Sequence, residues 1–170
     1  SGVLVNTGTI NVEAGTGGGR QISANLTNSG TVNINTPTTL FKAAGVHTNS
    51  NAFNIASGAT FTISGSSQVF NQNGGTLGIS GVFDMTTATF NFNGGNISGT
   101  PILTNSTLNI GAGGTSPATF SMRGAGTISG DISTGQTILV NGTSSYNTVL
   151  TAANGFTNAG TITLENISST

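Results

Sequence analysis

The side chains that could carry acid–base chemistry are few and widely spaced in this sequence. They are Glu13, Asp84, Asp131, Glu165, Arg20, Lys42, Arg123 and His47. Only Asp84 and Asp131, with Arg123 between them, suggest a catalytic pair. Two carboxylates act as general acid and base only when the fold holds them several Å apart in one cleft. We interpret these charges as isolated solubilising groups and keep a polysaccharide-degrading pair as an alternative.

Metal and cofactor chemistry has little support in these residues. His47 is the only histidine and there is no cysteine, so neither a metal cluster nor a disulfide framework is predicted. We expect His47 to lie in a loop or at the surface. A calcium site needs several carboxylates, and Gly17-Gly18-Gly19-Arg20 lacks the aspartate of calcium-binding repeats. We therefore predict no cofactor, no metal and no enzyme activity.

The overall charge argues against two classes of partner. Charged residues make up 4% of the sequence and the formal net charge is −1. Nucleic-acid binding needs clustered Lys and Arg, and a polybasic membrane patch needs the same. No apolar segment approaches the ~20 residues of a transmembrane helix. We predict no nucleic-acid partner and no membrane insertion.

A repeated nine-residue phrase explains most of the composition. It reads apolar-x-Asn-x-Gly-Thr-apolar-x-apolar and occurs at Leu4–Val12, Leu26–Ile34 and Phe156–Leu164. Its second half, Thr-apolar-x-apolar, also occurs at residues 60–63, 76–79, 89–92, 107–110 and 119–122. Alternation of this kind, rich in β-branched and aromatic residues, predicts short strands. The apolar pair should point inward, and Gly and Asn should turn the corners.

The spacing of the phrase predicts a right-handed parallel β-helix of about seven or eight coils. Copies recur at intervals that fit coils of ~20–25 residues with the phrase on more than one face. A β-sandwich is the alternative, and it would need hairpins with tight two-residue loops. Only residues 40–44 could form a turn of helix. The predicted interior is Leu4, Ile10, Val12, Leu26, Val32, Ile34, Phe61, Ile63, Phe70, Leu77, Ile79, Phe90, Phe92, Leu108, Ile110, Phe120, Phe156, Ile162 and Leu164.

The outward positions of the phrase are the candidate binding residues. In each copy, Thr and the residue two positions later should point to solvent together. Aligned, they would form a flat array of hydroxyls and amides, suited to a glycan or, through Thr-x-Thr pairs, to ice. These positions are Thr9, Asn11, Thr31, Asn33, Thr60, Thr62, Thr89, Asn91, Thr107 and Asn109.

The phrase Leu-Thr-Asn-Ser-Gly-Thr-Val-Asn-Ile at residues 26–34 resembles the repeats of bacterial autotransporter passenger domains and filamentous-haemagglutinin-type adhesins. The resemblance implies a long right-handed β-helix displayed on, or released from, a bacterial cell surface. It carries no shared catalytic motif, so no functional residue transfers from it.

Residues 1–170 are therefore expected to form one β-helix domain. The phrase begins at once and continues almost to the last residue, with no visible cap. We expect a segment of a longer repeat protein or a unit of an end-to-end fibre. The predicted function is a non-enzymatic extracellular adhesive rod that makes weak multivalent contacts with host or neighbouring cells, with glycans or with itself. The alternatives are a carbohydrate-binding or carbohydrate-degrading β-helix and an ice-binding face.

Overall fold

The computed structural model describes residues 2–166, which form an all-β solenoid of about eight coils without a helix. Each full coil contributes one strand to each of three sheets, here called A, B and C. Sheet A stacks β1 (Val3–Asn6), β4 (Asn25–Asn28), β7 (Val46–Asn49), β10 (Val69–Gln72), β13 (Thr89–Phe92), β16 (Thr107–Ile110), β18 (Ala125–Ser129) and β20 (Val149–Ala152). Sheet B stacks β2 (Thr9–Val12), β5 (Thr31–Ile34), β8 (Ala52–Ile55), β11 (Thr76–Ile79) and β14 (Asn96–Ser98). Sheet C stacks β3 (Arg20–Ile22), β6 (Thr38–Phe41), β9 (Thr60–Ser64), β12 (Val82–Thr86), β15 (Ile102–Thr104), β17 (Ala118–Arg123), β19 (Gln136–Gly142) and β21 (Thr161–Asn166).

All pairings between these strands are parallel, which confirms the predicted solenoid and excludes the sandwich. Coil length varies from the 18 residues between the paired Thr89 and Thr107 to the 24 between Thr127 and Thr151. At ~4.8 Å per coil, the stack is roughly 35 Å tall. Among residues 2–166 there is no helix of membrane-spanning length and hydropathy.

A network of phenylalanine rings fills the middle coils. Phe53, Phe61, Phe70, Phe83, Phe90, Phe92 and Phe120 are all fully buried. Phe70 stacks on Phe90 with ring centroids 5.6 Å apart, and Phe90 also contacts Phe83 and Phe120, each at 5.8 Å. Parallel stacking places each ring above the corresponding side chain of the next coil, so the rings form a continuous core. This confirms that the phenylalanines at the phrase positions of coils 3–6 are core residues.

The predicted interior is confirmed in coils 2–6 and less complete beyond them. Ile10, Val12, Phe156 and Ile162 are only partly buried, although they pack against the core. Leu4 is 37% exposed and Leu164 is 78% exposed, so the prediction that they are buried was wrong. Leu4 lies in β1 and Leu164 in β21, and each of these strands pairs with another strand on one side only. The core also holds Leu40 and Phe53, which lie outside the clear phrase copies, and residues 38–41 form strand β6 rather than a helical turn.

The asparagines of the phrase contribute more than turns. Asn6, Asn28 and Asn49 occupy the same position of successive coils in sheet A, and their side chains are buried. Asn6 Nδ2 donates to Asn28 Oδ1 at 2.7 Å, Asn28 Nδ2 donates to Asn49 Oδ1 at 2.7 Å, and Asn49 Nδ2 donates to Gln72 Oε1 at 2.9 Å. The asparagine of the phrase, predicted to turn the corner, therefore also forms an interior amide ladder.

Candidate functional site

The ten predicted outward residues do not form one array, because they lie on three different sheets. Those of coils 1 and 2, Thr9, Asn11, Thr31 and Asn33, are on sheet B. Thr60 and Thr62 lie on sheet C, and Thr89, Asn91, Thr107 and Asn109 lie on sheet A. All ten are exposed or half-buried, as predicted, but a single flat face of all ten does not exist.

Sheet A carries the longest of the outward ladders. Asn91 Nδ2 donates to Asn71 Oδ1 at 2.7 Å, and Asn109 Nδ2 donates to Asn91 Oδ1 at 2.8 Å. Ser129 Oγ extends the series by donating to Asn109 Oδ1 at 2.6 Å. A parallel row of threonines, Thr89, Thr107, Thr127 and Thr151, runs beside these amides. The hydrogen bonds hold the amides in fixed orientations, so this sheet A face is a preorganised polar surface.

Sheet B carries a shorter ladder of the same kind. Asn33 Nδ2 donates to Asn11 Oδ1 at 2.8 Å, and Asn54 Nδ2 donates to Asn33 Oδ1 at 3.0 Å. The series stops at Gly78, which pairs with Asn54 and has no side chain to continue it. The two outward ladders therefore occupy different faces and different coils.

The outer face of sheet C holds the candidate acid and its nearest basic residue. Asp84 lies on β12 and Arg123 on β17, two coils further along. Burial raises the pKa of the half-buried Asp84 carboxyl above its ordinary value, and the positive charge of Arg123 opposes that rise. Arg123 is thus a charged side chain that influences this carboxylate.

Asp131 lies apart from Asp84, so the two carboxylates do not form an acid–base pair. Asp131 follows β18, three coils beyond β12, at the corner after sheet A, whereas Asp84 is within a strand of sheet C. The exposed Asp131 accepts a hydrogen bond from the Thr157 backbone N–H at 2.7 Å. This contact gives it a structural role in joining two coils. A groove of about 440 Å³ beside it contains the hydroxyls of Thr115 and Ser133 but no second carboxylate.

His47 is fully buried, and the prediction of a loop or surface position was wrong. It stands in the interior of sheet A opposite Phe70, at a position where every other coil carries an apolar residue, most often leucine or phenylalanine. The Leu26 N–H donates to His47 Nδ1 at 3.2 Å, and His47 Nε2 lies 2.9 Å from Gln68 Oε1. Two specific hydrogen bonds compensate for burying this polar ring. Within residues 2–166, no three His, Cys, Asp or Glu side chains are grouped as metal ligands.

Sequence reasoning missed several members of the sheet A surface. Asn71, Thr127, Thr151 and Ser129 lie outside the clear phrase copies, so the repeat alone did not identify them. The signal that could have identified them was their separation along the sequence from the predicted outward residues of sheet A. Asn71 and Ser129 each lie 20 residues from a predicted asparagine, which is one coil length.

Comparison of the chain with protein-family models, curated proteins and solved structures finds no match to any of them.

Proposed function

We propose that the chain is a non-enzymatic structural and adhesive rod of an extracellular bacterial surface, as a segment of an adhesin or surface fibre. Its mechanism is mechanical: a stiff solenoid presents the same polar groups many times along one axis. Its partners are the surface of a host or neighbouring cell, a glycan there, or another copy stacked end to end.

The observation that carries this proposal is the regularity of the stack. Sheets A and C run through all eight coils with parallel pairing, and Asn71, Asn91 and Asn109 repeat one amide along the outside. The main acid–base candidates, Asp84 and Asp131, are on different faces. Weak contacts repeated on a rigid support gain strength through effective concentration, so this arrangement suits adhesion by many sites better than by one pocket.

Binding as a function of surface density tests the adhesive proposal. Beads carrying the chain at increasing density should attach to cells steeply above a threshold, whereas the free monomer should bind weakly. Replacing both Asn91 and Asn109 with alanine should weaken attachment, and replacing Asn11 and Asn33 on sheet B is the matched control. Beads that fail to attach to epithelial and bacterial cells at every density would contradict the adhesive role.

Carbohydrate binding on the sheet A face is the second candidate. The preorganised amides there, with a row of threonine hydroxyls beside them, offer donors and acceptors at a regular spacing of ~4.8 Å. A panel of neutral and acidic glycans should show millimolar to micromolar binding that the double replacement of Asn91 and Asn109 reduces. Equal binding by the wild type and this variant would remove the sheet A face as the site. Ice binding gains no such support, because the Thr-x-Thr pairs of sheet C, Thr60 with Thr62 and Thr161 with Thr163, lie in coils that do not neighbour each other and form no regular row.

A further inference from the structure

The pairing between coils 2 and 3 is incomplete on sheet A beside His47. Strand β7 pairs with β10 over four residues, but it pairs with β4 only at Thr27↔Thr48 and Asn28↔Asn49. Side chains replace the missing backbone pairs. The Leu26 N–H donates to the His47 ring, and the Val46 N–H donates to Asn25 Oδ1 at 3.2 Å.

The hydrogen bonds of His47 require the neutral ring. Because Nδ1 accepts a hydrogen bond from the Leu26 N–H, the single ring proton must be on Nε2, which donates to Gln68 Oε1. Gln68 is itself fully buried, and its Nε2 donates to the Ser64 carbonyl. Protonation of Nδ1 would place an N–H against the Leu26 N–H, so the charged ring would lose the bond that joins coil 2 to coil 3.

No negative charge is positioned to stabilise a protonated ring. Strands β4, β5, β6, β8, β9 and β10, which surround His47, contain no titratable side chain, and neither do residues 64–68. Lys42, before the Gly45 turn next to the ring, is the nearest charge along the chain, and it is positive. Burial lowers the pKa of His47 below 6.5, and the hydrogen bond with Gln68 opposes this shift without cancelling it.

We propose that His47 makes the junction between β4 and β7 an acid-sensitive joint, which opens on sheet A when the ring is protonated. Sheets B and C still pair coils 2 and 3 through β5 with β8 and through β6 with β9. The opening is therefore local: coils 2 and 3 separate along sheet A, while sheets B and C keep them paired. In the proposed surface rod, opening of this joint in an acidic compartment would bend the rod or expose the interior amides beside His47.

The sign of the effect follows from proton linkage. The folded ring has a lowered pKa, so between pH 6.5 and that lower value the open state binds more protons than the closed state. The closed joint is favoured above pH 6.5 and loses stability as pH falls. With one proton and an open-state pKa of 6.5, the opening constant rises by up to about tenfold from pH 7.5 to pH 5.5.

Residue-resolved hydrogen exchange on the whole chain tests the proposal. The protection factors of Leu26, which donates to His47, and of Ser50, which donates to the Asn28 carbonyl across the same junction, should fall by up to about tenfold from pH 7.5 to pH 5.5. The Thr107 and Gly111 amides, which donate to Ala88 and Phe92 across a histidine-free junction of the same sheet, should keep theirs. Protection factors correct for the intrinsic pH dependence of exchange, so only opening contributes. An equal fall at both junctions, or none at either, would overturn the proposal.

The matched variant is His47→Asn. The Asn side chain keeps an acceptor near the position of Nδ1 but does not titrate in this range, so the protection factors of Leu26 and Ser50 should become independent of pH. If the variant folds poorly, NMR titration of the wild-type imidazole gives an independent answer. A titration midpoint clearly below 6.5 supports the joint, and a midpoint at or above 6.5 contradicts it.

Discussion

Asn28 donates a hydrogen bond from Nδ2 to Oδ1 of Asn49 at 2.7 Å, inside the solenoid, where neither side chain is exposed. Asn28 also donates to the Ala52 carbonyl at 3.0 Å and accepts from Asn6 Nδ2 and the Gly30 N–H. One side chain thus links three successive coils.

Replacing Asn28 with alanine should lower the free energy of unfolding by about 3 kcal/mol, because several buried polar groups lose their partner. Asn33→Ala is the control: its ladder is on the half-exposed outside, where water replaces the amide, and the loss should stay below about 1 kcal/mol. Urea denaturation of both variants measures the difference. Equal losses in the two variants would show that the interior ladder contributes no more to the free energy of unfolding than the outer ladder does.

Phe90 lies at the centre of the ring network, in contact with Phe70, Phe83 and Phe120. Phe90→Ala should cost about 4 kcal/mol, since the cavity lies in coils that stack on both sides and cannot collapse. Phe41→Ala, at a side chain that is 48% exposed, should cost only about 1 kcal/mol. Thermal and urea unfolding of the pair separates core packing from surface area, and a comparable loss in both would contradict the packing assigned to Phe90.

Two glycines with the same left-handed backbone should respond differently to alanine. Gly58 has φ 79° and open space where a Cβ would stand, so Gly58→Ala should cost about 1 kcal/mol for the backbone alone. Gly75 has φ 61°, and a Cβ there would overlap the backbone of Asn51 in the preceding coil. Gly75→Ala should therefore cost about 3 kcal/mol. Urea midpoints that ranked the two in the opposite order would refute the close approach of these coils.

Asp84→Asn should stabilise the chain at neutral pH. Burial raises the pKa of Asp84, so the folded state holds its proton more tightly than the unfolded chain, and ionisation costs stability as pH rises above the ordinary value of 3.8. The amide avoids this cost, although it also loses the attraction to Arg123. The gain in melting temperature should be present at pH 7 and disappear below pH 3.8. Asp131→Asn is a control at an exposed carboxylate; a loss of stability in Asp84→Asn at pH 7 would show that the attraction to Arg123 outweighs burial.

The alternation within Thr-apolar-x-apolar was enough to predict the strands and the inward pair, since the period of two determines which side chains share a face. It did not determine which sheet each copy joins. Thr60 lies on sheet C and Thr89 on sheet A because the connecting turns differ in length, and coil length varies from 18 to 24 residues. A local pattern does not contain that information.

The buried polar residues were predicted poorly for a related reason. His47 looks isolated in the sequence, and its burial follows only from its register with Phe70, which lies 23 residues later. The partners of Asn28 in the neighbouring coils are likewise 21 to 24 residues away. The polarity of His47 alone predicted that it is exposed, whereas hydrogen bonds between coils compensate for its burial and for that of Asn28.

Sheet B ends at β14, while sheets A and C continue through the last coils. The junctions between coils 5 and 6 and between coils 6 and 7 are therefore joined by sheets A and C alone, whereas coils 7 and 8 are also joined by the bridge between Ile132 and Asn158 and by the long pairing of β19 with β21. The tensile strength of the stack along its axis is lowest in this region. Coils 5–7 will separate first under load, and the coils nearer either end will hold their spacing until that slack is used.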